Sequence, residues 1–156
     1  MGFLRKLLLL WKKKEHTEET KKQEEQKSFF LYIKKFPQIV TYFRRSKGIP
    51  QKKLELTLVD DEDRPAYQIV QIMELLLEDL NLLYLVTDRR SEFEGLAEEA
   101  MEHNGLLIVL LEPVFEEEMP GNLVLRLCDW EKHLDIVSAV SYNTVHYEDT
   151  RPFSGY

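Results

Sequence analysis

The chain has 156 residues, 44% of them hydrophobic, which is enough for one ordinary domain with a terminal appendage. A single cysteine, Cys128, excludes an internal disulfide framework and indicates a reducing compartment such as the cytoplasm. The overall charge of −7 conceals a strong asymmetry. Residues 1–53 hold 15 Lys and Arg against 5 Glu, a net of +10, whereas residues 54–156 hold 6 basic against 23 acidic residues, a net of −17. Such asymmetry predicts an anionic partner for the basic part.

Residues 1–14 predict a basic amphipathic anchor helix. The segment has five basic residues and no acid, and its apolar run is too short to span a bilayer or to act as a secretory signal. Leucines and a tryptophan at helical spacing favour a helix lying in the plane of an anionic membrane surface. Packing on the body or on a partner chain is the main alternative, and nucleic-acid binding is a further one. The predicted membrane-binding residues are Leu4, Arg5, Lys6, Leu7, Leu8, Trp11, Lys12, Lys13 and Lys14.

Residues 15–27 contain no apolar side chain, which predicts a charged linker or an exposed helix. Residues 28–47 then predict a helix with an aromatic stripe, in which Pro37 introduces a kink or starts a second helix. Eight basic residues and no acid in 27–53 raise the hypothesis of nucleic-acid binding, since aromatic rings stack on bases. The stripe has the period of a buried face, however, and this favours packing on the fold. Its members are Phe29, Ile33, Phe36, Val40 and Phe43.

The body predicts a single α/β domain over residues 28–145, followed by a flexible tail over 146–156. Apolar runs and alternation predict strands near 53–60, 82–87, 106–111 and 122–127. Helical stripes predict helices near 66–80, 93–104 and 130–142, the second opened by a capping box from Ser91 to Glu94. This order, β1-α-β2-α-β3-β4-α after N-terminal helices, predicts a three-layer, Rossmann-like α/β fold with a small, mainly parallel sheet.

Acidic residues follow three of the predicted strands. Ligands of parallel sheets bind where the carboxyl ends of the strands meet, and carboxylate oxygens suit Mg²⁺. Convergence of these side chains would make a magnesium site, although acids before a helix commonly serve as caps. The candidate metal ligands are Asp60, Asp61, Asp88 and Glu112. The other chemistry-bearing residues, Cys128 and His133, predict a catalytic pair only if they come within hydrogen-bond reach.

Two short segments carry a family resemblance. Leu58–Glu62 resembles the first strand and acidic pair of response-regulator receiver domains, and Met119–Gly121 resembles the loop after their third strand. The chain departs from that pattern because Glu112 stands in the phospho-acceptor region and no lysine follows Lys132. The resemblance therefore implies a degenerate regulatory domain. In organisation alone, the chain also resembles certain bacterial cell-division membrane anchors.

The sequence thus predicts a non-catalytic adaptor or regulatory protein of bacterial type, cytoplasmic and peripheral on the inner face of the membrane. Its expected partners are an anionic membrane surface and an unidentified protein, with homo-oligomerisation left open, and no cofactor is expected. A Mg²⁺-dependent enzyme and nucleic-acid binding through 27–53 are the alternatives, the latter disfavoured.

Overall fold

The computed structural model describes residues 2–114 and 116–145, so the predicted tail at 146–156 lies outside the described residues. The predicted α/β fold class is confirmed: a small parallel sheet is combined with helices after a long N-terminal helix. The helices are α1 (Gly2–Ser46), α2 (Ala66–Glu74), α3 (Glu94–Asn104) and α4 (Trp130–Val145). The strands are β1 (Leu56–Val59), β2 (Leu82–Val86), β3 (Leu107–Leu111) and β4 (Leu123–Arg126).

A single helix, α1, covers the segments that the sequence divided into anchor, linker and aromatic helix. Pro37 lies inside α1 without ending it, and its carbonyl accepts a hydrogen bond from the Thr41 hydroxyl at 3.0 Å. The chain forms two compact units, residues 1–32 and 33–156. The predicted boundaries after residues 14 and 27 stay predictions.

The four strands are all parallel and lie in the order β3-β2-β1-β4. The register places Leu58 beside Leu85 of β2 and Leu125 of β4, and Leu85 beside Leu110 of β3. Because side chains alternate along a strand, these four leucines lie on one face of the sheet. Among the described strands, β3 and β4 lie at the two edges of the sheet.

The two faces of the sheet differ in burial. On the first, which we call the buried face, every side chain is at most 9% exposed: Leu56, Leu58, Leu83, Leu85, Ile108, Leu110, Leu123 and Leu125. On the second, which we call the half-buried face, only Thr57 and Val86 are buried. Leu107 is 46% exposed there, and the remaining members are half-buried: Val59, Leu82, Tyr84, Val109, Leu111, Val124 and Arg126.

The connection from β3 to β4 reaches the half-buried face at Thr57. The Thr57 hydroxyl donates to the Pro120 carbonyl, and the Asn122 side chain donates to the Lys53 carbonyl at 2.7 Å. Gly121 sits between these contacts with a φ of +88°, where a Cβ atom would lie 2.6 Å from the Glu55 carbonyl oxygen. Glycine is needed here because a side chain has no room.

Two helix boundaries differ from those expected. α2 ends at Glu74 instead of near Leu80, yet Leu76 and Leu80 remain buried in the turns that follow. At the start of α3 the expected capping box is absent: Phe93 is the N-cap residue, without a side-chain cap bond. Ser91 belongs to a 3₁₀ turn over Arg90–Glu92. In both places burial of apolar side chains outweighs the local helix signal.

Candidate functional site

The N-terminal part of α1 exposes several large apolar side chains. Leu4, Leu7, Leu8 and Leu9 are 68%, 46%, 60% and 65% exposed. Arg5 and Lys6 are exposed beside them, and the first turn of α1 contains no acidic residue. Leu4, Leu7 and Leu8 lie on one side of the helix by their spacing. The side chains of the predicted membrane-binding residues Trp11, Lys12, Lys13 and Lys14 lie outside the described residues.

Large exposed apolar side chains next to bases are the pattern of a helix that lies at a lipid interface. Among the described residues no helix is long and apolar enough to cross a membrane.

At the carboxyl ends of β1 and β2, Asp60 forms an ion pair with Arg89. The Arg89 Nε and Nη2 atoms donate to the two Asp60 carboxylate oxygens at 2.7 and 2.9 Å. The Thr87 hydroxyl donates to the same carboxylate at 2.7 Å, and the Asp60 side chain is only 1% exposed. Hydrogen bonding to Asp60 raises the pKa of Arg89. A bidentate pair of this kind fastens the end of β1 to the end of β2.

Asp61 and its neighbours form a turn after β1. An Asp61 carboxylate oxygen accepts the Asp63 N–H at 3.1 Å, and the Asp61 carbonyl accepts from Arg89 Nη2 at 3.0 Å. The contact to the Asp63 N–H is an Asx turn, and it does not cap α2, whose N-cap residue is Pro65 without a side-chain cap bond. The residue between Asp61 and Asp63, Glu62, interacts with Asp88: the Asp88 carboxylate accepts a hydrogen bond from protonated Glu62, and this bond, together with the negative charge of Asp88, raises the pKa of Glu62.

The structure therefore joins Asp60 to Arg89 and Asp88 to Glu62, while Glu112 lies exposed after β3. In the described part of the chain, no three His, Cys, Asp or Glu side chains form a group that could hold a metal ion. The four predicted ligands thus give the Mg²⁺ hypothesis no geometric support, and that hypothesis stays a prediction.

Cys128 and His133 lie on either side of the start of α4. Burial, with Asp129 and Asp61 adding to it, raises the pKa of the Cys128 thiol, so the nucleophilic thiolate is disfavoured. His133 is 7% exposed, and its ring lies 5.1 Å from that of Phe43, edge to face. Burial lowers the pKa of His133. His133 is therefore a buried histidine packed against Phe43, and the catalytic pair stays a prediction.

The aromatic stripe of residues 28–47 points largely to the interior. Phe36 and Val40 are buried and Phe43 is half-buried. Buried rings cannot stack on nucleobases, which leaves the hypothesis of nucleic-acid binding through 27–53 without an aromatic platform on this stripe. Arg44, one of the basic residues, is itself buried and donates to the Ile49 carbonyl at 2.8 Å, closing the end of α1.

Sequence reasoning missed Arg89 and Glu62. It noted Asp60 and Asp88 because acids follow strands, but the partner of each is fixed only by the parallel register of β1 and β2. The sequence indicates Arg89 only as a basic residue three positions after the end of β2.

No family model, curated protein or solved structure matches this chain.

Proposed function

We propose that this protein is a peripheral membrane protein whose N-terminal helix segment holds a non-catalytic α/β body at an anionic lipid surface. One observation carries the proposal: four leucines at positions 4–9, between 46% and 68% exposed, lie next to Arg5 and Lys6 on a helix. Water is a poor environment for such a cluster, whereas a lipid interface accepts the leucines and anionic headgroups attract the bases.

The basic residues and the leucines of this segment both contribute to the free energy of membrane binding. Each basic residue near an anionic leaflet contributes about 1 kcal/mol, and each buried leucine contributes about 2 kcal/mol. The five bases of residues 1–14 and its leucines together exceed what reversible membrane binding requires. The inner face of the cytoplasmic membrane is the anionic surface that this chemistry fits, and the acidic body, repelled from it, would remain available to protein partners.

The direct test is flotation of the full chain with vesicles containing about 30% phosphatidylglycerol, compared with pure phosphatidylcholine vesicles. We expect binding to the anionic vesicles only, weakened as NaCl rises from about 0.1 to 0.5 M. Removal of residues 1–14 should abolish it. A wild-type chain that stays with the soluble fraction at about 0.1 M salt would overturn the proposal.

Matched variants distinguish the effect of the N-terminal segment from that of the positive charge elsewhere on α1. Arg5→Glu with Lys6→Glu should weaken vesicle binding at least about 30-fold. Lys21→Glu with Lys22→Glu makes the same charge change at exposed positions of the same helix and should have a much smaller effect. For the apolar contribution, Leu8→Ser should weaken binding about 20-fold, and Leu31→Ser, at a position 42% exposed, should not. Equal losses in either matched pair would contradict the assignment.

A further inference from the structure

The edge strand β3 presents unpaired backbone to one side. The Leu107 N–H bonds to the Asn81 carbonyl at 3.2 Å, and the Leu111 carbonyl accepts the Thr87 N–H at 2.9 Å. These residues, and Val109 between them, therefore direct their backbone groups to β2. Because direction alternates along a strand, the N–H and C=O groups of Ile108 and Leu110 point away from the sheet. No described strand lies on that side of β3.

A groove follows this free edge. It has a volume of about 460 Å³ and lies between residues 107–110 of β3 and one side of α3. Its apolar wall is the strand and Ala97, and its charged rim is formed by Arg90, Glu94 and Glu98. Leu107 at one end is 46% exposed.

β3 also lacks the devices that protect natural edge strands. Its sequence, Leu-Ile-Val-Leu-Leu, contains no charge and no proline, whereas the opposite edge strand β4 ends in Arg126. The exposed N–H and C=O groups of an unprotected apolar edge strand are a template for pairing with another strand. The partner therefore has to be an extended segment of apolar character.

A second copy of β3 meets this requirement. Antiparallel pairing about a two-fold axis at Val109 sets Ile108 opposite Leu110 of the second copy, and Leu107 opposite Leu111. All of these pairs are apolar, and the outward groups of Ile108 and Leu110 supply four backbone hydrogen bonds. On the half-buried face, Leu107, Val109 and Leu111 of both copies would form one continuous apolar stripe.

In the charged rim of one copy, Arg90 forms an ion pair with Glu94, with 3.7 Å between the Arg90 Nε atom and a Glu94 carboxylate oxygen. Since the chain passes from the end of β2 through α3 to the start of β3, α3 runs antiparallel to the strand. Arg90 then lies toward the carboxyl end of β3 and Glu98 toward its amino end. The two-fold axis would bring Arg90 of each copy toward Glu98 of the other, while Glu94, midway between them, would approach Glu94 of the other copy near the axis. The two contacts between opposite charges outnumber the one between like charges.

We propose that β3 is a homodimerisation edge, through which two copies of this chain pair antiparallel about Val109 into one eight-stranded sheet. Such a dimer would carry two N-terminal segments, but its formation does not depend on them.

Sedimentation equilibrium of the full chain is the first test. We expect a concentration-dependent monomer–dimer equilibrium, and Val109→Lys should make the chain monomeric because two lysines would meet at the axis. Val124→Lys, the same change at a half-buried position of β4, should leave the dimer intact. Circular dichroism would verify that both variants fold. A wild-type chain that is monomeric at about 100 µM, or a dimer that survives Val109→Lys in a folded protein, would overturn the proposal.

Charge reversal tests the register without touching the sheet. Arg90→Glu and Glu98→Arg, both at exposed positions, should each weaken the dimer about 5- to 10-fold. The double variant, with the two charges exchanged, should restore it. Additive weakening in the double variant would contradict the two-fold arrangement.

Cross-linking gives a positive readout. In a Cys128→Ser background, Val109→Cys should form an intermolecular disulfide with oxidised glutathione, because facing residues at the axis have Cα atoms about 4.5 Å apart. Val124→Cys in the same background should not. If Val124→Cys formed the disulfide and Val109→Cys did not, the contact would lie on another surface and pairing through β3 would be excluded.

Discussion

The two faces of the sheet are built from the same four strands and differ in how deeply their side chains are buried. The buried face consists of leucine and isoleucine, none more than 9% exposed. The half-buried face has a 46%-exposed leucine at one edge and a half-buried arginine at the other, and only Thr57 and Val86 are buried on it. Each side chain of the buried face is therefore expected to contribute more to stability than its counterpart on the half-buried face.

The largest expected effect comes from the same substitution on the two faces. Leu85→Ala on the buried face should lower the free energy of unfolding by about 3 kcal/mol, because it leaves a cavity among fully buried side chains. Leu107→Ala, at a position 46% exposed, should cost less than about 1 kcal/mol. Urea unfolding of both variants measures the difference. Equal losses of unfolding free energy would contradict the distinction between the two faces.

The next effect concerns the connection that covers the half-buried face. Gly121→Ala should destabilise the protein by about 2 kcal/mol, since its Cβ would lie 2.6 Å from the Glu55 carbonyl and its φ is +88°. Gly48→Ala shares the positive φ, at +68°, but has open space around it, so it should cost about 1 kcal/mol. The difference in melting temperature between the two variants measures the contribution of the steric clash at position 121. Identical melting temperatures would contradict this clash.

A smaller effect is expected at the carboxyl edge, where both faces end. Asp60→Ala removes the partner of Arg89 and Thr87 and should cost about 1.5 kcal/mol, reduced from the value of a fully buried pair because Arg89 is 20% exposed. Asp61→Ala removes only the turn contact to the Asp63 N–H and should cost about 0.5 kcal/mol. Chemical denaturation checks both, and a larger loss for Asp61→Ala would show that the ion pair does not fasten this edge.

The smallest effect is expected from His133, a titratable group among buried side chains. Burial lowers its pKa below the usual 6.5 in the folded protein. Below pH 6.5 the unfolded chain therefore takes up a proton that the folded chain does not, so stability is complete above this pH and falls as the pH drops toward the folded pKa.

Comparison of wild type with His133→Gln at pH 7.5 and 5.5 isolates this contribution. Glu62, whose pKa is raised, acts in the opposite direction at lower pH but is present in both proteins. The variant should lose less stability on acidification than the wild type. An equal loss would show that another group governs the pH dependence.

Much of the fold was accessible from local patterns. The mostly apolar runs 82–87 and 106–111 predicted β2 and β3 within one residue at each end. The candidate site was less accessible. Asp60 and Asp61 are adjacent in the chain, yet the Asp60 carboxylate forms the ion pair with Arg89, whereas Asp61 meets Arg89 only through its backbone carbonyl and uses its carboxylate in a turn.

The sequence by itself determined the order of the elements, the apolar character of each strand and the separation of a basic first third from an acidic body. These follow from periodicity and composition, which are local. Only the tertiary structure decided that β3 is an edge, that Asp60 is paired with Arg89, and that the sheet has one buried and one half-buried face. These depend on strand order and register, which are set by packing between segments far apart in the chain.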